Sequence, residues 1–165
     1  MTNGKPFSTV IRTANYFYTG ADRLDITVKY AEEHPDYLGA CLAPTWDMVG
    51  GIKHWFYAAE VQQLVWANRK DSKEYREAFE RLLKWQSNPL ITPTQYAVKY
   101  LNLLRQRYWE NPAPFIEIAS MESVTMVCYC AGKMQQHCHR ALAIEPISKV
   151  VERLGRTPVI LGEQP

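Results

Sequence analysis

Apolar residues recur along this chain in two periods, two and about 3.6, and the switches between them predict its elements. Between Ser8 and Tyr18, β-branched and aromatic residues gather in Thr9-Val10-Ile11 and Tyr16-Phe17-Tyr18, which predicts a first strand. After a turn at Thr19-Gly20-Ala21-Asp22, Leu24, Ile26 and Val28 alternate with Asp25, Thr27 and Lys29. That alternation predicts a strand over Leu24 to Tyr30, near a sheet edge because its second face is polar. Glu33-His34-Pro35-Asp36 reads as a loop, and its neighbouring carboxylates Glu32 and Glu33 as solvated. Leu42 to Val49 enters a short helix that Gly50-Gly51 weakens or ends.

Helical periodicity then takes over. Tyr57 to Asn68 predicts a helix with Val61, Leu64 and Val65 on one stripe. Asp71 and Glu74 have capping-box spacing ahead of a stripe of Tyr75, Phe79, Leu82 and Leu83, stopped at Asn88-Pro89. Thr92, Pro93 and Gln95 form a strong helix start, followed by Tyr96, Tyr100, Leu103, Leu104 and Tyr108 on one face, with an end near Asn111-Pro112. Phe115 to Ala119 is a short apolar piece.

Ser123 to Cys130 is the clearest strand. Its near-continuous apolar run is what a central strand buried on both faces requires. A loop from Ala131 to His137 leads to a helix from near Cys138. Pro146 should break or kink it, Ile147 to Leu154 continue it, and Gly155 cap it. Pro158 to Leu161 reads as a last strand. The order predicts an α/β fold: three layers, with a mostly parallel central sheet and helices on both faces.

The 165 residues fit one domain, 1–165. A hydrophobic fraction of 47% against 22% charged is ordinary for a globular core. A net charge of +2 is too small to argue for nucleic acid by bulk electrostatics. Arg105, Arg107 and Lys99 make a local basic patch on one helix, read most simply as a solvated face. The start lacks a secretory signal and no apolar run is long enough to span a bilayer. The expectation is a cytoplasmic protein with reduced thiols and no membrane partner.

Three of the four cysteines, Cys128, Cys130 and Cys138, lie within eleven residues, and His139 and Arg140 follow directly. Ligands of open parallel sheets bind beyond the carboxyl ends of the strands. Cys128 and Cys130 fall at that end of the central strand, and Cys138, His139 and Arg140 at the start of the next helix. Three readings stand. In the first, the helix N-terminus favours a Cys138 thiolate and a bound anion, with Arg140 as the bidentate partner and His139 as proton carrier. In the second, Cys128, Cys130, Cys138 and His137 or His139 hold zinc. In the third, Cys128 is a small core hydrophobe. Cys130, Tyr16 and Trp46 are assigned with Cys128 to ligand contact. No Arg stands at the Cys-x5-Arg spacing of phosphatases, and neither a glycine-rich phosphate loop nor a dinucleotide fingerprint is present. Trp46, Trp55, Trp66 and Trp109 could stack on bases, although such residues are more often core.

These residues, in this order, resemble the bacterial and phage family catalogued as domain of unknown function 488. The resemblance rests on Val127-Cys128-Tyr129-Cys130 and Cys138-His139-Arg140-Ala141-Leu142. It is extended by Thr13-Ala14-Asn15-Tyr16-Phe17, Asp25-Ile26-Thr27-Val28, Leu42-Ala43-Pro44-Thr45-Trp46, Tyr75-Arg76-Glu77-Ala78-Phe79 and the stretch from Gly155 to Glu163. Cys130 stands where that family often has an acidic residue, and against the family the stretch around 56–70 looks like an insertion in the single domain. The resemblance implies an α/β fold, a shared site and an association with nucleotide or nucleic-acid processing, but no reaction. The expected function is an enzyme acting on a nucleotide or nucleic-acid component. The alternatives are a non-catalytic nucleotide- or partner-binding protein of phage or defence type, and a zinc-stabilised module.

Overall fold

The computed structural model describes residues 7–130 and 137–163. Among them, four strands form one all-parallel sheet. They are β1 (Ser8–Asn15), β2 (Arg23–Asp25), β3 (Ser123–Cys128) and β4 (Thr157–Ile160), in the order β2-β3-β1-β4. Helices α1 (Val28–Glu33), α2 (Trp46–Ala67), α3 (Lys73–Gln86), α4 (Pro93–Glu110), α5 (Ala113–Ala119) and α6 (His139–Arg153) complete the three-layer α/β architecture expected. A 3-10 turn spans Leu38–Leu42. The chain groups into two compact units, residues 1–44 with 100–165, and residues 45–99.

In the first unit, β3 is internal and its residues from Val124 to Cys128 are all buried, as the unbroken apolar run requires. It pairs with β1 from Val10↔Ser123 to Asn15↔Cys128, so both strands end at one level. β2 lies at the edge, as expected, but stops at Asp25. The predicted continuation to Tyr30 is instead α1. Thr27 caps that helix, its hydroxyl accepting from the Tyr30 amide, and the Asp25 carboxylate accepts from the Thr27 amide and hydroxyl at 2.9 and 2.7 Å. A side chain able to satisfy the backbone locally outweighed the period-two pattern. Asp22 fastens the β1–β2 connection, accepting from the hydroxyls of Ser123, Thr125 and Tyr18. α6 runs through Pro146 unbroken, and Gly155, with φ of 72°, closes it in the left-handed conformation.

Arg107 corrects the reading of a solvated basic face. It is part-buried, and its guanidinium donates to the carbonyls of Ala43 at 2.5 Å and Cys41 at 3.1 Å. Those carbonyls lie at and just after the 3-10 turn, so Arg107 holds this bend rather than facing solvent.

The second unit holds α2, α3 and the first part of α4. Gly50-Gly51 does not end a helix, and the two helices expected over 42–68 are one element of 22 residues. Gly51 serves packing: a Cβ there would lie 2.5 Å from the Ile91 side chain, and its carbonyl accepts from the Ile91 amide. Val61 of α2 packs with Ala78 and Leu82 of α3, backed by Ala58, Val65 and Trp85. The cap of α3 is Ser72, one residue after the expected Asp71. Phe79 and Leu83, expected in the buried stripe, are exposed. The box at Thr92 and Gln95 forms as read, each side chain bonding the other's amide. No helix among the described residues is long and apolar enough to cross a membrane.

Candidate metal centre at the carboxyl edge of the sheet

The end of β3 and the start of α6 lie together at the carboxyl edge of the sheet. Cys128 is the last residue of β3, and Cys130 follows it by two. Cys138 is the N-cap of α6 and His139 its first residue. One ligand atom from each of the four lies within 4.8 Å of all the others, a cluster that could hold a metal ion. The sulfurs of Cys128 and Cys130 are 3.2 Å apart, and His139 Nδ1 is 3.8 Å from the sulfurs of both Cys128 and Cys138.

The histidine tautomer follows from its other nitrogen. His139 Nε2 lies 2.8 Å from the Ile26 carbonyl oxygen, which can only accept. Nε2 therefore carries a proton, and Nδ1 is the nitrogen that faces the sulfurs, either donating to a thiolate or, deprotonated, available to a metal. Ile26 is itself fixed, its amide donating to the Val127 carbonyl. The ring of Tyr100 packs edge-on against His139 at 5.7 Å, and its hydroxyl donates to the Leu42 carbonyl. The Cys130 amide donates to Cys128 Sγ at 3.4 Å.

The electrostatics invert one expectation. Thiol hydrogen bonds from Cys130 and then Cys138 hold Cys128 well below the usual thiol range, against the effect of burial. Cys138, expected as the thiolate, is pushed far up by its own burial and by donating to its neighbours. The partial charge of a helix N-terminus is a smaller effect than removal from water. Burial alone would lower the His139 pKa, but the Cys128 thiolate and its hydrogen bond raise it to about 10.

Arg140 does not open onto a crevice. Its side chain is the largest of the fully buried ones, donating to the Cys128 carbonyl at 3.1 Å and pairing with Glu163. His137 is exposed, and the histidine in the cluster is His139. The expected loop 131–137 lies, apart from His137, outside the described residues. Tyr16 stacks on Tyr129 with centroids 3.7 Å apart, and the Arg23 guanidinium lies 4.9 Å from the Tyr16 ring centre. Trp46 opens α2 in the other unit and is half-exposed; Trp55, Trp66 and Trp109 are likewise exposed rather than core.

Sequence reasoning missed Ile26, Tyr100 and Glu163. The first acts through its backbone carbonyl, which carries no residue signature, and the others lie far along the chain from the motif. Comparisons with family models, with curated proteins and with solved structures gave no match.

Proposed function

We propose that the protein binds zinc through Cys128, Cys130, Cys138 and His139, and that this centre supports a recognition edge for a nucleotide or nucleic-acid component. The observation that carries the zinc assignment is the gathering of three sulfurs and one imidazole nitrogen, the donor set zinc prefers, within 4.8 Å of one another. Zinc–sulfur bonds near 2.3 Å and a zinc–nitrogen bond near 2.0 Å give tetrahedral edges of about 3.8 Å between sulfurs and about 3.5 Å from sulfur to nitrogen. Of the six edges, the Cys128–Cys130 separation of 3.2 Å is about 0.6 Å short of the first value, and the two sulfur–nitrogen separations of 3.8 Å are about 0.3 Å longer than the second. The Ile26 carbonyl orienting the imidazole is the outer-shell partner such ligands ordinarily have. Four protein ligands leave no position for water, which makes the zinc structural rather than catalytic.

Metal content of protein purified under reducing conditions tests this. The expected result is about one equivalent of zinc, lost in Cys138→Ser, with a lower thermal midpoint after chelation. Metal-free protein with freely titrating cysteines and an unchanged midpoint on adding zinc would refute it.

The recognition edge is supported by the Tyr16–Tyr129 stack with Arg23 beside it, because Tyr129 sits between two of the ligands and is 62% exposed. Aromatic faces with a neighbouring guanidinium suit a base and its phosphate. A nucleoside monophosphate titration should show binding that Tyr129→Ala weakens about tenfold or more; equal binding by the variant would remove this part. Cys138 as nucleophile, His139 as proton carrier and Arg140 as anion clamp have less support, since all three are buried and engaged.

A further inference from the structure

Away from the cysteine cluster, α4, α5 and α6 enclose a groove of about 330 Å³. That is at the small end of ligand sites. Its floor is apolar and buried, from Leu104, Phe115 and Val150. Its rim is cationic, with Arg105, Lys149 and Arg153 against a single acid, Glu145. That acid is already committed, 2.7 Å from Lys149 in an i,i+4 pair. Among the described residues Arg105 bonds only the neutral side chain of Asn102, and Arg153 lies over the Tyr108 ring at 5.6 Å. Neither guanidinium has an acidic partner among the described residues.

We propose that this groove is a second ligand site, for a small amphipathic anion: an apolar, flat or branched body carrying one phosphate, sulfonate or carboxylate. The body lies on Leu104, Phe115 and Val150, where burying it is favourable by area. The anionic group meets Arg105 and Arg153, whose planar forks match its oxygens. Complementarity of charge selects the ligand class, because an apolar molecule without an anion leaves two unpaired guanidinium groups at the rim. The site is independent of the metal centre.

The probe is 1-naphthyl phosphate, with 1-naphthol and inorganic phosphate as the two half-ligands, followed by methyl resonances of leucine and valine in the zinc-replete full chain. The expected result is saturable shifts at Leu101, Leu104 and Val150 with a Kd of about 1 mM or below. Both half-ligands should bind at least about tenfold more weakly, and Arg105→Gln with Arg153→Gln should weaken the phosphate ester by about tenfold or more. Both substitutions are on exposed residues, so folding should survive, and unshifted resonances elsewhere would verify it. Absence of shifts, shifts centred on other methyls, or binding indifferent to the double variant would each overturn the assignment.

Discussion

Replacing Arg140 separates a structural role from a ligand-binding one. In Arg140→Ala the Cys128 carbonyl loses the guanidinium donor, Glu163 loses its pairing with Arg140, and the space the side chain filled is emptied. Breaking a fully buried ion pair costs about 3–5 kcal/mol. Here Glu163 keeps a side-chain exposure of 34% and can rehydrate, so the lower end applies. The expected loss is about 3 kcal/mol, which for a chain of this size lowers the midpoint by roughly 6–12 °C. Because the chain has two compact units, the unit bearing the change should be read directly. Native-state hydrogen exchange of the amides from Val124 to Val127 does that, and their opening free energy should fall by about the same amount. Arg140→Met, which removes the charge but fills the space, should cost about 1 kcal/mol less than alanine. A cycle with Glu163→Gln should show coupling of about 0.5 kcal/mol or more. If Arg140→Ala left strand exchange within about 0.5 kcal/mol of the parent while abolishing ligand binding, the residue would be an anion clamp and the argument from burial would fail.

Other outcomes follow from single contacts. Burial raises the Asp22 carboxyl, but hydroxyls of Ser123, Tyr18 and Thr125 hold it below the usual carboxylate range. A lowered folded pKa contributes stability above the unfolded value and loses it as pH falls through the folded one; urea midpoints below about pH 4 should therefore fall less steeply in Asp22→Asn than in the parent. Gly51→Ala gains helix propensity of about 1 kcal/mol yet should destabilise by about 1–3 kcal/mol net, since its Cβ would meet Ile91 and the Pro89 carbonyl; a raised midpoint would refute this. Burial pushes the Cys41 thiol up to about 12, against the nearby Arg107. Only about one thiol in ten thousand is then ionised at pH 8, so Cys41 should stay unmodified by iodoacetamide in native protein as judged by peptide mass.

Elements whose local chemistry and burial agree were readable from the chain. β3 declared itself by an unbroken apolar run, α4 by Thr92, Pro93 and Gln95, and the end of α6 by Gly155. Where two local signals competed, pattern misled: Leu24, Ile26 and Val28 alternate, but Thr27 is a competent cap and the chain turns helical there. The glycine pair in α2 looked like an interruption because its reason, the approach of Ile91, lies forty residues away. Three cluster cysteines were legible from spacing. The histidine was not: His137 and His139 are equivalent by spacing, and the choice is made by a carbonyl at Ile26. Arg140 looked available because it is charged, and only its two partners reveal that it is not.

The strand order also dictates when the molecule can assemble. No strand of the sheet pairs with a partner fewer than a hundred residues away along the chain. Such non-local pairing makes for slow folding, since long loops must close before any contact rewards them. The α2–α3 hairpin draws its core from neighbours in sequence, and all of it leaves the ribosome before β3 does. During synthesis the helical unit can therefore be complete while β1 and β2 still wait, unpaired, for the segment that joins them. In that interval the nascent chain exposes both edges of β1, a strand that becomes internal only once β3 and β4 have arrived, and it is then that a chaperone would have most to hold.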